Sequence, residues 1–158
     1  MNGLKRLQQE FKQCIKDPNP WYSVDICNNN LFEWNFIIMG PQDTLYDGGI
    51  FKGKMEFEQN YPMRPPSVKF TSDILHPNIY PDGRVCISIL HEGLDQFNYE
   101  HASERWNPSQ GVNSIMLSII SMLSDPNTES PANVSASKLM KEDYEEYKKK
   151  VYSDVSKT

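Results

Sequence analysis

His76-Pro77-Asn78-Ile79-Tyr80-Pro81-Asp82-Gly83-Arg84-Val85-Cys86-Ile87-Ser88-Ile89-Leu90 is the stretch from which the rest of the chain is read. Its two prolines fix the backbone and Asp82-Gly83 supplies a turn, so it opens as a compact irregular loop rather than a helix or a ladder strand. Beyond the loop Val85, Ile87 and Ile89 alternate with Cys86 and Ser88. That spacing predicts a short extended segment whose apolar residues anchor one face while the thiol looks the other way. The same loop carries Asn78, a carboxamide able to donate to an oxyanion forming at a carbonyl bound to sulfur. The pattern suits an aimed nucleophile, and it also suits a small cysteine packed beside a turn; spacing does not separate the two.

Working upstream, Leu4, Leu7, Phe11, Cys14 and Ile15 recur at helical spacing until Asp17-Pro18 ends the pattern. Four short runs follow, at 21–26, 31–39, 51–58 and 67–71, separated by Asn28-Asn29-Asn30, by Gly40-Pro41 with Asp47-Gly48-Gly49, and by a proline cluster. Phe32, Trp34, Phe36 and Ile38 alternate along the second run and Phe51, Met55 and Phe57 along the third, as in half-buried antiparallel strands. Tyr61-Pro62-Met63-Arg64-Pro65-Pro66 forms a rigid loop in which Met63 is either a core gap-filler or an exposed adaptable contact, the proline flanks favouring the second, and its aromatic-proline step suits a cis peptide.

Downstream, residues 91–105 are polar and acidic, a loop of roughly 15 residues, a length uncommon in a compact domain. Asn107 or Ser109 is the expected cap of a broad apolar helix through Val112, Ile115, Met116, Ile119, Ile120, Met122 and Leu123. A helix carrying Val134, Leu139 and Met140 comes next, then a surface helix with Tyr144, Tyr147 and Val151 on one face. The expected fold is therefore α+β in a single domain, 1–158: an N-terminal helix, a four-stranded antiparallel meander, the cysteine loop, a central helix and two C-terminal helices.

The 158 residues suffice for one real core, and three cysteines without metal-type spacing suggest neither disulfides nor zinc, as expected in the cytosol or nucleus. Sixteen basic residues against twenty-one acidic ones, a net charge of -5, argue against nucleic acid as partner. No apolar run approaches the ~20 residues that span a bilayer, so direct membrane insertion is not expected. No histidine is evidently paired with Cys86, which opposes a cysteine-protease architecture.

Several motifs in register, Tyr61-Pro62-x-x-Pro65-Pro66, His76-Pro77-Asn78, Cys86 eight positions after that Asn, Trp106-x-Pro108 and Asp125-Pro126-Asn127, resemble the ubiquitin-conjugating enzymes over essentially the whole chain. The long acidic insertion at 91–105 is most similar to the branch that serves degradation of endoplasmic-reticulum proteins. The resemblance implies that Cys86 takes ubiquitin as a thioester from an activating enzyme, which uses ATP upstream, and passes it to a lysine, with no bound cofactor or metal. It implies a RING-type ligase and protein substrates as partners, degradation-type chains as product, and a cytoplasmic location with recruitment to the cytosolic face of the endoplasmic reticulum or presence in the nucleus. Asn78 would serve the oxyanion or organise the loop, His76 would be structural, and Glu129 and Ser130 would form a gate for the incoming lysine. His91, Glu92 and Asp95 would orient an acceptor lysine. Lys5 and Arg6 resemble the surface that docks the activating enzyme, and Met63, Pro108 and Ser109 the ligase-facing loops. A conjugating enzyme for another modifier and a non-catalytic ubiquitin-binding scaffold are the alternatives.

Overall fold

The N-terminal stripe winds into helix α1, Gly3–Lys16, which buries Leu7 and sets Phe11 edge-on against Trp34, their ring centroids 5.4 Å apart. Leu4 and Ile15, expected on the buried stripe, are 41% and 62% exposed, because only the Leu7–Phe11–Cys14 line meets the sheet side. In the computed structural model residues 3–93 and 100–158 are described.

Four strands, β1 (Tyr22–Cys27), β2 (Asn30–Met39), β3 (Ile50–Glu56) and β4 (Ser67–Phe70), form an antiparallel sheet in sequence order. Each differs from the expected run by a residue or two at its ends, where turn chemistry overrides apolar pattern. Asn28 and Asn29 both take positive φ, 53° and 58°, the backbone that a tight hairpin twist demands and that Asn tolerates. Alternation delivers Trp34, Phe36 and Ile38 from β2 and Phe51 and Met55 from β3 to one buried face. Gly53, opposite Phe36, leaves room for its ring: a Cβ there would lie 2.2 Å from it. Phe36 can then meet Phe70 of β4 edge-on, centroids 5.3 Å apart.

The central helix α2, Val112–Ser124, adds Ile115, Met116, Ile119 and Leu123 to the same core. Its cap is Gly111, not Asn107 or Ser109. The Asn107 side chain is used earlier, accepting from the Ser109 amide at 3.0 Å, so it is a turn residue. The first turn of α2 is closed instead from α1: Glu10 Oε1 accepts the Val112 amide at 2.8 Å, while Oε2 accepts from Tyr61 Oη and Arg6 Nε. A part-buried carboxylate at a helix N-terminus satisfies an orphan donor and favours the dipole.

Helix α3, Val134–Glu142, is capped by Asn133 and buries Ala136 and Ser137, whereas Val134 is 68% exposed. Helix α4, Tyr144–Ser156, buries Tyr147 and Val151 but leaves Tyr144 49% exposed. First-turn residues point away from the core in both cases, which the helical period alone does not reveal.

Glu10 is thus a three-way tie between α1, α2 and the proline loop. Glu10→Ala is expected to cost about 3 kcal/mol, since hydrogen bonds to a charged acceptor are lost and their donors left unsatisfied. Urea denaturation with an unchanged m-value checks it.

Candidate active site

The loop after β4 is a small hairpin held to the sheet. Gly83 turns it with φ 100°, and the Gly83 carbonyl accepts the Phe70 amide at 2.8 Å; a Cβ at Gly83 would lie 2.2 Å from the Phe70 carbonyl oxygen. Tyr80 and Arg84 pair across the turn, and Ile79 bridges Val85. Cys86 is positioned by its own amide, which donates to the Asn78 carbonyl at 2.9 Å.

Two residues brace this hairpin against the end of α2. His76 is fully buried: Nδ1 accepts the Asn78 amide and Nε2 lies 2.9 Å from the Met122 carbonyl. Because Nδ1 accepts, the proton sits on Nε2 and is donated to Met122. Burial pushes the ring down to about 4, against the Met122 bond, so it is neutral near pH 7. Asn78, 4% exposed, spends its side chain on the far side of the cleft: Oδ1 accepts the Asn127 amide at 2.9 Å and Nδ2 donates to the Asn127 carbonyl at 2.7 Å. One Nδ2 proton remains outside that pair.

The extended segment predicted through Ile89 ends early. Ser88–Leu90 is a turn of 3-10 helix, which keeps Val85 and Ile89 buried but reverses the chain direction. This corrects the expectation that Cys86 lacks a histidine partner: His91 Nε2 lies 3.7 Å from Cys86 Sγ. A continuing strand would have carried residue 91 about 16 Å away, whereas the tight turn folds it back.

His91 is itself held. Nδ1 is 2.9 and 3.1 Å from the two oxygens of Glu100, whose Oε1 also accepts from Ser88 Oγ at 2.8 Å and whose Oε2 accepts from Arg105 Nη1. Arg105 further donates to the carbonyls of Gly93 and Glu92, at 2.8 and 2.7 Å. The described part of the 91–105 insertion is therefore built round a buried-side carboxylate. The hydrogen bond with Cys86 and then those with Glu100 push His91 up to about 9, against the effect of burial. Burial acts to raise the Glu100 carboxyl, but hydrogen bonds from His91, Ser88 and Arg105 hold it below the usual range.

Other expected site residues divide. Glu92 is ion-paired with Arg64 of the proline loop at 2.9 Å, with Glu58 beyond it, and so is tied down rather than presented toward Cys86. Asp95 lies in 94–99, outside the described residues. Arg6 braces the chain before α2: its guanidinium donates to the carbonyls of Pro108 and Gln110, at 2.9 and 2.8 Å, as well as to Glu10. Lys5, Pro108 and Ser109 are exposed and Met63 is 68% exposed, while the Trp106 indole donates to the Pro62 carbonyl and joins the two loops. Tyr61-Pro62 is cis, as its aromatic-proline step suggests.

An open groove of about 610 Å³ runs between this hairpin and α2, lined among others by Asn78, Cys86, His91, Glu100, Asp125 and Ser130. Glu129 is exposed outside that lining, its amide donating to Asn127 Oδ1 at 3.0 Å. The carboxylates that do line it include Glu100, Glu104 and Asp125, none of which is among the expected site residues. No motif marks Glu100, which reaches the site only through the fold of the insertion. Among the described residues no three His, Cys, Asp or Glu side chains are grouped to hold a metal ion.

A half-buried thiol with an imidazole beside it, opening on a groove along a helix, is an arrangement that cysteine acyl transfer can use. The family profile described as "Ubiquitin-conjugating enzyme" matches residues 6–155. Among curated relatives, Ubiquitin-conjugating enzyme E2 13 of Arabidopsis thaliana is 58% identical over 154 residues, covering 96% of this chain and 93% of the relative. Ubiquitin-conjugating enzyme E2 G2 of Homo sapiens is 48% identical over 158 residues, covering 99% and 96%. Ubiquitin-conjugating enzyme E2 15 of Schizosaccharomyces pombe is 48% identical over 147 residues, 92% and 88%. The chain belongs to the ubiquitin-conjugating enzymes, transferases that carry ubiquitin as a cysteine thioester. Members of the family work between an activating enzyme and ligases. Among the described residues no helix is long and apolar enough to cross a membrane.

The His76 brace carries a pH signature. Between pH 6.5 and 4 the unfolded chain takes up a proton that the native ring refuses, so stability falls as pH drops through that window, by about 3 kcal/mol in all. Comparing urea midpoints of wild type and His76→Gln across pH 7 to 4 checks this: the slope attributable to His76 is expected to vanish in the variant.

Proposed function

We propose that Cys86 is the cysteine that carries ubiquitin, on the single observation that its sulfur opens on the groove beneath α2. Cys27 is buried in the sheet, and Cys14 is packed on α1, where burial raises its thiol. Nucleophilic attack on the incoming thioester and later attack by a lysine amine both pass through an oxyanion, for which the remaining Nδ2 proton of Asn78 is a donor; its main geometry, toward Asn127, supports loop organisation. His76 is structural, in keeping with its buried neutral ring.

Ser130 at the groove edge and Glu129 beside it gate the lysine, Ser130 by orientation and not by charge. His91, Glu92 and Asp95 belong to the insertion that meets an acceptor ubiquitin. Lys5 docks the activating enzyme, and exposed Met63, Pro108 and Ser109 face a RING-type ligase. The enzyme works without bound cofactor or metal, ATP being consumed upstream, and neither nucleic acid nor membrane insertion enters its cycle. Its product is degradation-type polyubiquitin on protein substrates. The cytoplasm is its place of action, at the cytosolic face of the endoplasmic reticulum, which the acidic insertion and the likeness to E2 G2 support.

Incubation with ubiquitin, activating enzyme and ATP is expected to give a reductant-sensitive adduct on wild type. Cys86→Ser should give a reductant-resistant ester or none. An unaltered reductant-sensitive adduct on Cys86→Ser would move the carrier to another cysteine. Asn78→Ala is expected to slow single-turnover transfer by about 10²–10³ if the amide serves the oxyanion; loading and discharge rates measured separately check it.

A further inference from the structure

His91 touches the reacting sulfur, and its second nitrogen is held by a carboxylate that is itself fixed by Ser88 and Arg105. Such a base-plus-orienter pair is not needed to hold a loop, since Arg105 already ties Glu100 to the Gly93 and Glu92 carbonyls. We propose that His91 is the proton acceptor for the incoming amine, that Glu100 is its positioning residue, and that acylation of Cys86 is what switches His91 into this role. The proposal deepens the assignment of Cys86 as thioester carrier and rests on it.

The switch follows from what faces the imidazole. From the hairpin it meets Cys86, and from the insertion Glu100, with Arg105 behind it; Glu92, next in sequence, is paired with Arg64, and Glu104 and Asp125 line the groove beyond. In the free enzyme the hydrogen bonds with Cys86 and with Glu100 both favour the protonated ring, which cannot accept a proton. Converting the thiol to a thioester removes the ionisable partner on Nε2 and leaves Glu100 alone, so the ring gives up its proton more easily and Nε2 becomes a base beside the acyl carbon.

The step balances without any further reagent. A lysine arriving as ammonium gives one proton to water; the amine nitrogen bonds the thioester carbon and a second N–H proton passes to Nε2. The C–S bond breaks with its electron pair remaining on Sγ. The products are the amide, the Cys86 sulfur holding the electron pair of the broken bond, and His91 protonated on Nε2, a proton it can pass to that sulfur. Glu100 stabilises the imidazolium as it forms and keeps Nδ1 protonated, so that Nε2 faces the reaction.

Single-turnover discharge of purified thioester to free lysine, followed against pH, tests the proposal. His91→Gln is expected to slow discharge by at least about 10²-fold and to remove one ionisation from the pH profile. Glu100→Gln should retain that ionisation but move it to lower pH, a displacement that a merely structural loop role would not produce. Discharge of His91→Gln within twofold of wild type, with the profile intact, would overturn the proposal. A second measurement needs neither ubiquitin nor activity: the His91 ring titration followed by NMR in wild type, Cys86→Ser and Cys86→Ala. A lower titration midpoint in both variants is expected, and an unchanged one would also overturn the switch. Absence of any reductant-sensitive adduct on Cys86 would instead remove the thioester assignment, a result separate from either of these.

Discussion

The site depends on the double hydrogen bond between the Asn78 side chain and the Asn127 backbone. One carboxamide satisfies both a donor and an acceptor on a segment 49 residues away, and with the His76–Met122 bond beside it the cysteine hairpin is fixed to the end of α2 at two points. Buried polar groups exact a large penalty when unpaired, so these bonds specify one relative placement of hairpin and helix. The groove that holds Cys86 exists because that placement leaves a gap between them. Asn78 also accepts the Cys86 amide, which makes the same residue responsible for the groove and for the height of the sulfur within it.

Around this frame, charges that would be placed on the surface by pattern alone are used as internal ties. Glu10 closes the first turn of α2 from α1, and Arg6 holds the carbonyls just before that helix. Arg64 and Glu92 clip the proline loop to the insertion, and Glu100 with Arg105 organises the insertion's base. The exposed pairs contribute little individually to stability. Their effect is to limit where the loops around the cysteine can go, leaving Met63, Pro108, Ser109 and Lys5 at the surface.

The two histidines of the site show how environment divides one side-chain chemistry into two roles. His76 loses its charge to burial, with a carbonyl and an amide as partners. His91, half-exposed, gains it from a thiol and a carboxylate. Only the second touches the sulfur that we propose is acylated. A conjugating enzyme must load and unload the same sulfur, and a base whose availability depends on the state of that sulfur is suited to doing so in order.

Periodicity in the sequence determined the element order, the strands' inward residues and the α+β class, because side-chain alternation and the helical repeat follow from backbone geometry whatever the elements pack against. The constrained loop and its cysteine were legible for the same reason: proline and Asp-Gly restrict the local chain. Which charges are internal, where α2 is capped and which imidazole meets Cys86 were decided by tertiary structure. Glu10 and Val112 are 102 residues apart, and Asn78 and Asn127 are 49. His91 is an expected residue of the insertion, but its contact with Cys86 is not legible in the sequence, since one turn of 3-10 helix between them separates contact from a distance of about 16 Å. Glu100 is polar in a polar loop, and nothing in its neighbours distinguishes a solvated carboxylate from one that holds an imidazole; only the fold of the chain brings it to His91.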